Sequence, residues 1–175
     1  MKNALTLILI SSSLALMACA SPEKESITFT QTNHQAVNFC QQLESISGHT
    51  VDSVKQRFGE ASLEKSETLI SPHNDNYINQ RITLHYQDGY IAIFEVPNYN
   101  RSYLEAVKYT LKFSPEELKS VLGSHETYLA QLMGEPAQTT TTSSSYHCDL
   151  ESENKVTFEL NGNQIAAIVL TNWID

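Results

Sequence analysis

The sequence predicts an α+β protein: a tandem repeat of helix, helix and antiparallel strands that forms one sheet with helices on one face. Two observations predict it. Leu43–Ser62, LESISGHTVDSVKQRFGEAS, aligns without a gap to Leu118–Ala137, LKSVLGSHETYLAQLMGEPA, 75 residues further on. Leu43/Leu118, Gly48/Gly123, Gln56/Gln131 and Gly59/Gly134 are identical between the two. A second match follows at nearly the same offset, ITLHYQDGYIAIFEV against VTFELNGNQIAAIVL. A self-similarity of this period means one supersecondary unit used twice, with 36–113 as the first copy and 114–175 as the second. One unit cannot easily cover its own sheet, so the two copies share one globular domain.

In the first copy, Val37, Cys40, Leu43 and Ile46 recur at helical spacing with Phe39 beside them. Gly48 stops that helix, and Thr50 caps a second one whose stripe is Val51, Val54 and Phe58. A strand is expected around Thr68–Ile70. From Gln80 the period becomes two, with Ile82, Leu84 and Tyr86 on one face and Thr83 and His85 on the other. Asp88-Gly89 marks a hairpin turn, and a third strand carries Val107, Tyr109 and Leu111 on one face. Ser114-Pro115-Glu116-Glu117 reads as a capping box opening a helix over Glu116–Leu122, followed by another over Glu126–Met133. Thr139–Ser145 is a loop or edge strand. Asn161-Gly162 turns the final hairpin, and Trp173 is expected to pack as a plug on the last strand.

The opening segment is a leader. Residues 1–18 have one basic residue, Lys2, and an apolar run too short to span a bilayer. Leu16-Met17-Ala18-Cys19 resembles the bacterial lipobox, which implies a lipoprotein acylated on Cys19 after the signal is removed. Ala20 follows, and resemblance to enteric lipoproteins then implies an outer-membrane anchor facing the periplasm. Residues 19–35 form a polar, lipidated tether.

Charge narrows the partner. The chain carries 20 acidic against 11 basic residues, a formal net charge of −9, and the leader removes only a lysine. That excludes a nucleic-acid binder, which needs basic patches; contact with the membrane is left to the N-terminal lipid. Of three cysteines, acylation of Cys19 leaves Cys40 and Cys148. In an oxidising compartment a disulfide is the default for such a pair over two free thiols.

No catalytic constellation is visible. The six histidines lack metal-ligand spacing, no G-x-S-x-G or phosphate loop occurs, and no metal or other cofactor is expected. Glu116 and Glu117 are adjacent and serve a helix start rather than a shared substrate. Aromatic residues are more informative. Tyr77, Tyr90, Tyr99 and Tyr103 crowd the hairpins of the first copy with Arg101 among them, and His85 lies on the polar sheet face. Tyr and Arg anchor protein interfaces because they bury large area while satisfying a polar tip. These six are the candidate partner-binding residues.

The segment Tyr128-Leu129-Ala130-Gln131-Leu132-Met133-Gly134-Glu135-Pro136, followed by a loop and a glycine-turned hairpin, resembles the SmpA/OmlA family, which includes a small lipoprotein of the β-barrel assembly machine. Its tandem form is similar to the β-lactamase inhibitory protein family, which lays a concave sheet over an enzyme. These resemblances imply a non-catalytic, outer-membrane-anchored module that binds an envelope protein. The alternative they imply is an inhibitor or immunity-type protein covering the active site of a periplasmic hydrolase such as a β-lactamase.

Overall fold

A computed structural model describes residues 34–71, 74–149 and 153–174. The leader, Cys19 and most of the expected tether lie outside the described residues. One antiparallel sheet of eight strands dominates the chain, in the order β1-β2-β3-β4-β8-β7-β6-β5. The strands are β1 Leu63–Ser71, β2 Asn74–Tyr86, β3 Gly89–Val96, β4 Arg101–Thr110, β5 Gln138–Thr139, β6 Ser143–His147, β7 Lys155–Asn161 and β8 Gln164–Thr171. Among the described residues three short helices accompany it: α1 His34–Ser47, α2 Val51–Phe58 and α3 Thr127–Met133.

This corrects the expected fold class. The chain is not a tandem helix-helix-strand repeat, because the second half lacks the first of the two expected helices. A 3₁₀ turn, Glu116–Leu118, and further turns stand in its place. The backbone there closes tight i to i+3 turns, Leu118 N donating to Pro115 O, Lys119 N to Glu116 O and Val121 N to Leu118 O, in place of a helical ladder. The expected capping box is absent as well: Pro115 occupies the cap position without a side-chain bond, and the Ser114 hydroxyl is buried with no partner among the described residues. Leu118, Val121 and Leu122 are still buried there, so the segment contributes apolar cover without helical regularity.

Cross-strand register separates the two faces of the sheet. Leu84 stands opposite Ile91, Ile91 opposite Val107, Val107 opposite Leu170 and Leu170 opposite Val156, and all five are buried. α1 covers this face through Ala36, Phe39, Cys40, Leu43 and Ser47, the 3- and 4-residue spacing of a helical stripe. That stripe is rotated from the expected one, since Val37 and Ile46 are only half-buried. Phe39 meets Phe158 at 5.7 Å between ring centroids. Cys40 is disulfide-bonded to Cys148, just past β6, across a sequence separation of 108. Closing a loop of that length contributes about 4 to 5 kcal/mol in the chain-entropy account.

α2 starts at Thr50, whose side chain accepts from Ser53 N while Ser53 Oγ accepts from Thr50 N. It lowers Phe58 onto Tyr86, Tyr109 and Phe113. Phe113 reaches this cluster because β4 ends in a tight turn, in which Thr110 and Phe113 exchange backbone hydrogen bonds. The turn sends Leu111 outward, 60 % exposed, rather than onto the core face as expected. The hairpin between β2 and β3 turns on Gln87 and Asp88, with Tyr86 opposite Gly89. Gly89 has to be glycine, because an added Cβ would come within 2.5 Å of Phe113 and Lys108 O.

The Tyr109 hydroxyl is buried against Ser47 Oγ at 2.9 Å. Ser47 donates its single proton to Leu43 O, so Tyr109 donates to Ser47. Burial pushes the Tyr109 phenol up to about 12. The native state therefore holds this proton more tightly than the unfolded chain, where a phenol titrates near about 10. The resulting stability is whole below about pH 10 and is lost between about pH 10 and 12, a loss of about 2 to 3 kcal/mol. Denaturant unfolding across this range should show the decline, and Tyr109→Phe should flatten it. An equal decline in that variant would remove Tyr109 as its source.

Candidate functional site

The face of the sheet turned away from the helices is not the evenly polar surface that Thr83, His85, Thr157 and Glu159 suggest. Thr83, Ala92, Ala106 and Thr171 stand directly opposite one another across β2, β3, β4 and β8. At the usual strand spacing these small side chains floor a trough about 14 Å long. His85 and Tyr90 line it on one side, with ring centroids 6.3 Å apart, and Arg81 and Glu105 line it on the other. The concavity has a volume of about 660 Å³.

A bulge places Glu105. The β3–β4 register shifts between Ala92 and Ile93, leaving Glu105 as the extra residue between Ala106 and Leu104. Its carboxylate takes Arg81 in a two-point grip: Nε donates to Oε2 at 2.5 Å, and Nη2 donates to Oε1. Arg81 Nη1 donates to Glu67 as well, at 3.1 Å. The hydrogen bond to Glu105 raises the Arg81 pKa further, so the guanidinium stays charged and held. Lys108 is similarly matched with Glu159 at 2.6 Å. The charges on this face are largely paired among themselves, which leaves aromatic and small side chains as its free chemistry.

Trp173 closes the trough. The chain runs on past β8, where Asn172 N donates to Glu105 O and Asn172 Nδ2 donates to Leu104 O, while Trp173 N donates to Asn154 Oδ1. Held from both sides, the indole is 60 % exposed, contrary to the packed plug expected. Trp173 and Ile174 also border a second concavity of about 420 Å³, lined by Tyr99, Arg101 and Tyr103.

The six candidate partner-binding residues thus fall on one side of the molecule. His85 and Tyr90 line the trough, Tyr99, Arg101 and Tyr103 line its neighbour, and Tyr77 stacks on Tyr99 at 5.7 Å. A hydrogen bond with Tyr77 raises the Tyr99 pKa and ties the two rings together. Tyr99 is 59 % exposed and Tyr103 38 %, whereas Tyr86 and Tyr109 are buried in the core. Sequence reasoning missed Trp173, Arg81 and Glu105. The face sign of Arg81, two residues before Thr83, was readable; the bulge that brings Glu105 to it was not.

Among the described residues, no group of three or more His, Cys, Asp or Glu could hold a metal ion, and no helix is long and apolar enough to cross a membrane. No protein-family model matches the chain, and neither does any curated protein or solved structure.

The Arg81–Glu105 pair braces the bulge at a partly exposed position, where such a contact is worth about 1 kcal/mol and is screened by salt. Glu105→Gln should lower unfolding free energy by about that amount at low ionic strength, with the deficit shrinking in high salt. A deficit that does not respond to salt would assign Glu105 a packing role instead.

Proposed function

We propose that this protein is a non-catalytic binding module of the bacterial cell envelope, anchored to the outer membrane through an acylated Cys19, and that it holds another envelope protein on the open face of its sheet. One observation carries the reading: two adjoining concavities share Trp173 and gather Tyr90, Tyr99, Arg101 and Tyr103 on a face where Arg81 is paired with Glu105 and Lys108 with Glu159. Exposed Trp, Tyr and Arg in a preformed depression are what a protein partner buries most profitably, since they give up water over a large area with little loss of rotamer freedom. Paired ions lower the desolvation cost of covering the rest. The Cys40–Cys148 disulfide supports an oxidising compartment, and the lipobox-like Leu16–Cys19 supports the anchor.

The test is site-specific photocrosslinking in cells producing the full-length chain, with a photoreactive residue at Tyr99 or Tyr103 and, as a control, at Lys119 on the 3₁₀ side. The first two positions should give a discrete adduct to an envelope protein, weakened several-fold by Trp173→Ala, and Lys119 should not. Equal adducts from all three positions, or none from Tyr99 and Tyr103, would contradict the assignment of this face.

A further inference from the structure

The two edges of the sheet differ sharply. One ends in β5, only two residues long. The other is β1, nine residues long, with each of Leu63–Thr68 exposed. β1 pairs with β2 in unbroken register from Leu63 opposite His85 to Ile70 opposite Ile78, and its irregularity comes only at Ser71. Its outer backbone is a regular row of donors and acceptors, the kind of edge that recruits another strand. Leu63 is 51 % exposed, Ile70 68 % and Ile78 50 %, so three of the large apolar side chains left in solvent sit on this one ribbon. Natural edges are guarded by charge, and Glu64, Lys65 and Glu67 are such guards against indiscriminate pairing.

They favour one register, the one that sets their opposite charges against each other. Leu63, Lys65, Glu67 and Leu69 share the open face of the sheet, as their partners His85, Thr83, Arg81 and Asn79 show. Antiparallel pairing of this strand with an identical one, centred on Ser66, puts Lys65 opposite Glu67 and Leu63 opposite Leu69, twice each by symmetry. Sliding the centre by one residue sets Lys65 against Lys65 or Glu67 against Glu67, and like charges directly opposite are destabilising. Lys65 makes no ion pair among the described residues. Glu67 binds Arg81 through Oε2 and is 61 % exposed, which leaves Oε1 to accept from a second lysine.

We propose that β1 is a homodimerisation edge: it pairs antiparallel with β1 of a second copy about a two-fold axis through Ser66. The contact is isologous and closes on itself, so it yields a dimer and not a fibre. The axis stands perpendicular to the sheet, so both open faces lie on the same side. The edge is separate from the trough, and the proposal stands whether or not the trough binds a partner.

The axis makes the test register-specific. Ser66→Cys in the full-length chain brings the two introduced thiols face to face, within disulfide reach. Thr68→Cys leaves its thiols about 13 Å apart, beyond it. Cells producing Ser66→Cys should give a covalent dimer on a non-reducing gel, and wild type and Thr68→Cys should not. Adding Lys65→Glu to Ser66→Cys should cut that dimer about tenfold, since two attractive pairs become repulsive. Co-production with a chain carrying Glu67→Lys and Ser66→Cys should restore it, because every acidic side chain then meets a basic one again. No dimer from Ser66→Cys, equal dimer from Thr68→Cys, or a dimer indifferent to Lys65→Glu would each overturn the proposal.

Discussion

An antiparallel sheet eight strands wide has two faces to account for, and the described residues have helix enough to cover one. α1, α2 and α3 with the turns around Leu118–Leu122 supply that cover, and the buried row from Leu84 to Val156 lies beneath it. The other face must be made compatible with water by its own side chains. Everything distinctive about the molecule follows from how it does so.

Most of the solution is conventional: threonines, serines and cross-strand ion pairs. The exceptions are local. A bulge in β4 brings Glu105 to Arg81, small residues floor the space beside them, and the chain after β8 is held so that Trp173 stands out of the surface. A folded domain in water gains no stability from exposing a tryptophan between two depressions, since each exposed aromatic forgoes burial worth about 2 kcal/mol or more. The arrangement makes sense if another protein completes the burial. The cover on the helical face, tied by Cys40–Cys148, leaves the open face available for the proposed binding, because the core does not depend on it.

The sequence made the strands legible because alternation is local. Ile82, Leu84 and Tyr86, and Ile91 and Ile93, announce their face within a few residues, and Thr50 announces its helix. What failed was whatever depended on how a segment is capped or on distant pairing. Glu116–Leu122 carries helix-start residues, yet no side chain caps it and its backbone closes 3₁₀ and other tight turns instead. Leu111 continues the period of Val107 and Tyr109, yet the Thr110–Phe113 turn ends the strand one residue earlier. Periodicity also says nothing about Trp173, which lies beyond the last strand. The grouping of Tyr77, Tyr90, Tyr99, Arg101 and Tyr103 was suggested by composition; their common side emerges only from the register of β2, β3 and β4.

The most direct measurement is hydroxyl-radical footprinting of the protein in intact envelopes and again after detergent extraction and purification. If a partner occupies the open face, Tyr99, Tyr103 and Trp173 are protected in the envelope and become labelled once the protein is purified, while Tyr128, exposed on α3, is labelled alike in both. Equal labelling of Tyr99, Tyr103 and Trp173 in the two states would contradict the account.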